Sequence, residues 1–70
     1  MDISNAVAHA LVWLDQYPAV QGVAEGRYHA KPCITVFSTD KDTAALLPKT
    51  FKGFRVVVDS GGEFLPASGP

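Results

Sequence analysis

Apolar residues recur at helical spacing from the start of the chain: Ile3, Val7, Ala10, Leu11, Leu14 and Tyr17, with Ala6 broadening the stripe. Asn5, Ala8, Val12, Asp15 and Gln16 lie on the opposite side. The pattern predicts an amphipathic helix of about four turns. Asp2 is its N-cap, with Ser4 as the competing position. Pro18 ends it, because the residue before a proline is pushed out of the α region. Trp13 falls on the flank of the stripe beside His9 and Ala6. It is expected to fold over the edge of the core with its indole N–H near water.

The period then changes from helical to alternating. Residues 20–28 predict a first strand with small residues at Gly22, Ala24 and Gly26. Strict alternation turns Val20, Gly22, Ala24 and Gly26 toward the helices, leaving room for one to lie close. It turns Gln21, Val23, Glu25 and Arg27 outward. Residues 29–32 form the turn, and Pro32 suits the start of a returning strand over 33–38. Ile34 and Val36 point one way there, and Cys33, Thr35 and Phe37 the other. Thr39 or Asp40 caps a short helix over 42–47, anchored by Leu46 or Leu47 and stopped by Pro48. Phe51 plugs the end of the core. Residues 54–59 are a third strand with Phe54, Val56 and Val58 inward. Ser60-Gly61-Gly62 signals a turn with positive φ. Residues 63–65 add a short segment, either a hairpin arm or a strap across an edge.

This order, helix-strand-strand-helix-strand, predicts an α+β fold: a two-layer α/β sandwich with a three-stranded sheet and both helices on one face. In form it resembles a ferredoxin-like sandwich lacking its first strand. Residues 1–65 make the single domain and 66–70 a flexible tail. The last strand lies either parallel beside the second or antiparallel beside the first. The second arrangement is preferred, because it centres the small-residue strand beneath the long helix.

Such an architecture leaves one sheet face bare. Val23, Cys33, Thr35, Phe37 and Val57 form its apolar centre, ringed by Gln21, Glu25, Arg27, Arg55 and Asp59. An apolar centre with a charged rim is the make-up of a contact surface. Val23, Thr35, Phe37, Val57 and Arg55 are the candidate interaction residues, for a homodimer or another protein. The plainer alternative is ordinary surface scatter, or coverage by 63–65.

Composition narrows the classes of function. Seventy residues, 47% hydrophobic and 19% charged, make one small globular domain. The formal net charge is −1 and the six cations are scattered, which argues against nucleic acid. The apolar run over 6–14 is interrupted by His9, lacks a basic flank and is far short of a bilayer span. With a single cysteine, Cys33, the chain has no internal disulfide and suits a reducing cytoplasm.

Reactive chemistry is sparse. Cys33 and His29 flank the hairpin turn and pose a thiolate–imidazole pair, the basis of a small-enzyme reading. The sequence offers no third group to orient the histidine, so Cys33 reads as a small strand hydrophobe and no catalytic residue is assigned. His9, His29 and Cys33 show no paired metal-ligand spacing. Gly22-x-x-x-Gly26 lacks the strand–turn–helix setting of a dinucleotide fingerprint. Asp59-Ser60-Gly61-Gly62 reads as a turn before an anion nest. No cofactor is expected.

Four segments together carry a resemblance: Val20-Gln-Gly-Val-Ala-Glu-Gly26, Lys31-Pro-Cys-Ile-Thr-Val-Phe37, Leu47-Pro48 and Gly53-Phe-Arg-Val-Val-Val58. They resemble a short bacterial α/β module that occurs as small proteins of unassigned function and ahead of trypsin-like serine peptidase domains. Ala24 and Ala30 stand where that pattern has glycine. The resemblance covers about positions 20–62 and is built from structural residues, so it carries over no functional ones. It implies a non-catalytic accessory module, with a propeptide-like or inhibitor-like partner of a peptidase as the alternative to a free-standing association module.

Overall fold

The structure is a computed structural model describing residues 2–69. Met1 and Pro70, the ends of the expected domain and tail, lie outside the described residues. Helix α1 spans Ile3–Ala10. The Asp2 carboxylate accepts a hydrogen bond from Asn5 N–H at 2.9 Å, satisfying one of the donors that open a helix. The chain then tightens. Leu14 N–H bonds Leu11 O, and Asp15 N–H bonds Val12 O, each three residues back. A second helical piece, α2 (Trp13–Gln16), follows before Pro18 ends the run.

That tightening changes which residues face inward. Ile3, Ala6, Val7, Ala10, Trp13 and Tyr17 pack toward the core, while Leu11 and Leu14 face solvent. Trp13 is therefore not an edge residue but a core one, 5% exposed. Its ring meets Phe51 with centroids 4.9 Å apart.

Strands β1 (Val20–Tyr28) and β2 (Lys31–Ser38) form an antiparallel hairpin. After α3 (Thr43–Leu46) come β3 (Thr50–Phe51), β4 (Phe54–Ser60) and β5 (Glu63–Pro66). The sheet is five-stranded and mixed, which corrects the expectation of three strands. Along one side its order is β1, β2, β4. The outer edge of β4 is then shared: β3 pairs with its first two residues and β5 with its last four. β4 runs parallel to β2, Ile34 opposite Val56 and Val36 opposite Val58, so it does not lie beside β1 as preferred from sequence. This pairing places four β-branched residues in one patch beneath the helices. The ferredoxin-like comparison does not hold either, since β3 and β5 add pairings that the helix-strand-strand-helix-strand order lacks.

All three hairpin loops have two residues with positive φ: His29 and Ala30, Lys52 and Gly53, Gly61 and Gly62. This is the signature of type I′ turns, whose twist matches that of the strands they join. Only the first is built without glycine.

The core lies between the helices and one sheet face. Ala6 and Ala10, both fully buried, let α1 approach Val20, Ile34, Val36, Val56 and Val58. Leu47 closes one end while Leu46 is exposed. At the start of α3 the Asp40 carboxylate accepts from Thr43 N–H at 3.1 Å and from the Thr43 hydroxyl at 2.9 Å. Ser38 Oγ completes this small, part-buried network, 3.0 Å from Thr43 Oγ1. Residues 67–69, expected within the tail, are tied to the body. Ala67 N–H bonds Val56 O, Ser68 N–H bonds Ala44 O and Gly69 N–H bonds Leu47 O.

Candidate functional site

One irregularity decides what the uncovered face carries. Val20 pairs with Ser38 and Gly22 with Phe37, so Gln21 is an extra residue with no partner on β2. A β-bulge of this kind shifts every following side chain to the other face. Val23 therefore sits opposite Val36 and packs against the core, beneath the helices. Gly22, Ala24 and Gly26 turn to the free face instead. The expected orientation of β1 is reversed from Gly22 onward, and Val23 leaves the set of candidate contact residues. The small residues of β1 make room for side chains of β2, not for a helix. A Cβ on Gly26 would meet Thr35 Oγ1, and a Cβ on Gly22 would lie 3.7 Å from Phe37 Cδ2.

The other four candidates, Thr35, Phe37, Val57 and Arg55, share the free face. Strand register arranges it in rows. Gly22, Phe37, Asp59 and Phe64 form one row; Ala24, Thr35, Val57 and Pro66 the next; Gly26, Cys33, Arg55 and Thr50 the third. Its middle is not bare. Cys33 and Val57 are each only 2% exposed, because the flanking side chains rise around them. The exposed apolar surface is Phe37 at 41% and Phe64 at 63%, which flank Asp59 on neighbouring strands. Phe64 is not among the residues the sequence singles out, because alternation alone leaves the pairing of 63–65 open. Its alternation with Leu65 next to a glycine turn is the signal that places it.

Beside these aromatics lies a hollow of about 480 Å³. Gly26, Cys33, Thr35 and Val57 floor it, with Tyr28, His29 and Phe64 at its walls. The His29 ring stands edge-on to Tyr28 at 4.3 Å, and the Arg55 guanidinium lies 5.0 Å from the Tyr28 ring centroid. Cys33 Sγ lies 3.7 Å from Thr35 Oγ1. The thiol is thus paired with a hydroxyl, and the imidazole with an aromatic edge. Among the described residues no group of three His, Cys, Asp or Glu side chains is placed to hold a metal ion.

Charge on this face is split between its ends. Arg55 is exposed at one, Asp59 is half-buried at the other, and Asp59 Oδ1 accepts from Gly62 N–H at 2.9 Å. The one ion pair among the described residues is elsewhere, between Lys41 and Glu63. Leu11, Val12 and Leu14 make a second exposed apolar group, on the helical layer. No described helix is long and apolar enough to cross a membrane. The chain matches no protein-family model, no curated protein and no solved structure.

Proposed function

We propose that this chain is a small non-enzymatic module that works by protein association through the free face of its sheet. The observation that supports this reading is the pair Phe37 and Phe64, two large aromatics exposed in one row on either side of Asp59, on a face that no helix covers. Aromatic side chains bring large apolar area with few rotatable bonds, which is why contact surfaces concentrate them. The charged groups at the two ends of the face, Arg55 and Asp59, add orientation. A cytoplasmic setting belongs to the same proposal, in keeping with a buried free thiol at Cys33.

The enzyme reading has less to rest on. A nucleophilic thiol needs a base beside it, and the neighbour of Cys33 Sγ is the Thr35 hydroxyl.

Photo-crosslinking in the cell tests the proposal. A crosslinker replacing Phe64 should give a discrete protein adduct that disappears when Phe37→Asp is added. The same crosslinker at Leu14, on the helical layer, should give none. Adducts from position 14 alone, or adducts at 64 indifferent to Phe37→Asp, would overturn the reading.

A further inference from the structure

We infer that the occupant of the free face is a second copy of this chain, related by a two-fold axis that crosses β4 at Val57. This rests on the association reading above and names its partner. The argument is one of complementarity along the strand direction. A two-fold axis lying in the interface, perpendicular to β4 and level with Val57, brings two free faces together and reverses their strands. The row holding Phe37 and Asp59 then lies against the row holding Cys33 and Arg55 of the other copy.

Two matches, each made twice by the symmetry, follow from that single operation. Arg55 meets the partner's Asp59, and Asp59 meets the partner's Arg55. Both are without an ion-pair partner in their own chain among the described residues. The Asp59 oxygen that accepts from Gly62 leaves the second carboxylate oxygen for a guanidinium. Phe37, which projects from its own face, meets the hollow floored by the partner's Gly26 and Cys33. Protrusion and hollow, cation and anion, are placed symmetrically about Val57 on one surface. That is the condition for an isologous interface, in which a patch is its own complement. An unrelated protein would have to supply both features independently. The face is only a few strands wide, so the dimer belongs with weak interfaces and should loosen further as salt rises.

Charge reversal supplies the test, read as mass by sedimentation equilibrium at about 0.5 mM chain and low salt. The wild type should approach twice the 7.5 kDa of one chain. Arg55→Asp and Asp59→Arg should each weaken self-association at least about tenfold. Mixing those two variants should restore it, since both contacts become opposite-charge pairs again, and the double variant should dimerise alone. Asp59→Asn, which keeps an acceptor for Gly62 N–H, should also weaken it and guards against a turn defect in Asp59→Arg. Circular dichroism confirms that each variant is folded. A mixture that stays monomeric overturns the two-fold pairing. A wild type that stays at 7.5 kDa overturns the second-copy inference but leaves the association reading to the Phe64 crosslink. Single variants that dimerise like the wild type overturn the two-fold pairing and leave the association reading to the Phe64 crosslink.

Discussion

The Thr35 hydroxyl occupies the space in which a side chain on Gly26 would begin. The two residues are diagonal neighbours across the β1–β2 ladder, and the free face is shaped by that exchange. Gly26→Ala should force Thr35 from its rotamer and destabilise the domain by about 1–3 kcal/mol. Gly22→Ala meets only an ordinary contact with Phe37, so relief of glycine's backbone entropy should leave it neutral or more stable by up to about 0.5–1 kcal/mol. Urea denaturation of the two variants distinguishes them; equal losses would contradict this account of the face.

The Trp13–Phe51 contact joins the second helical piece to the short β3 strand. Trp13→Ala empties the largest side chain of the core and should remove about 3–5 kcal/mol. A domain of this size has about that much stability in total. The variant should therefore be largely unfolded at room temperature by far-UV circular dichroism. Because Trp13 is the only tryptophan, its emission also reports the milder Phe51→Leu variant: blue-shifted when folded, with an earlier unfolding midpoint.

The His29–Ala30 loop holds two non-glycine residues at φ of 53° and 65°. The left-handed region burdens an L-residue by about 1–2 kcal/mol. Glycine avoids that strain but adds freedom to the unfolded chain worth about 0.4–1 kcal/mol. Ala30→Gly should therefore stabilise the domain by about 0.5–1 kcal/mol, raising the thermal midpoint by a few degrees. A lower midpoint would show that the loop is not the strained type I′ turn described.

Much of the fold can be read from local rules. The β1–β2 hairpin, the helix stop at Pro18, the helix stop at Pro48 and the Gly61-Gly62 turn each follow from backbone chemistry within a few residues, whereas the choice of Leu47 over Leu46 as the anchor does not. What escapes is what depends on pairing between distant segments. Gly22 is the one local hint of a bulge in Val20-Gln21-Gly22 and does not fix it, yet the unpaired Gln21 sends Val23 to the core and the glycines to the free face. Trp13 becomes a core residue because the helix tightens at Leu11–Val12 and because Phe51 arrives from 38 positions away to meet it. The parallel match of β2 with β4, and the division of the outer edge of β4 between β3 and β5, are settled by which apolar rows align. Of the candidate surface, Thr35, Phe37, Val57 and Arg55 are legible because their strands alternate without interruption. Phe64 and the hollow are not, since both require β5 to be folded back onto β4.

The claim on which the account turns is that Phe37 and its neighbours on the free face are a contact surface. The most direct measurement is sedimentation equilibrium of wild type and Phe37→Asp side by side, up to about 1 mM chain. The account predicts that the wild-type mass climbs above 7.5 kDa with concentration while Phe37→Asp, equally folded, stays there. A wild-type mass that climbs with concentration while the Phe37→Asp mass climbs equally would contradict it.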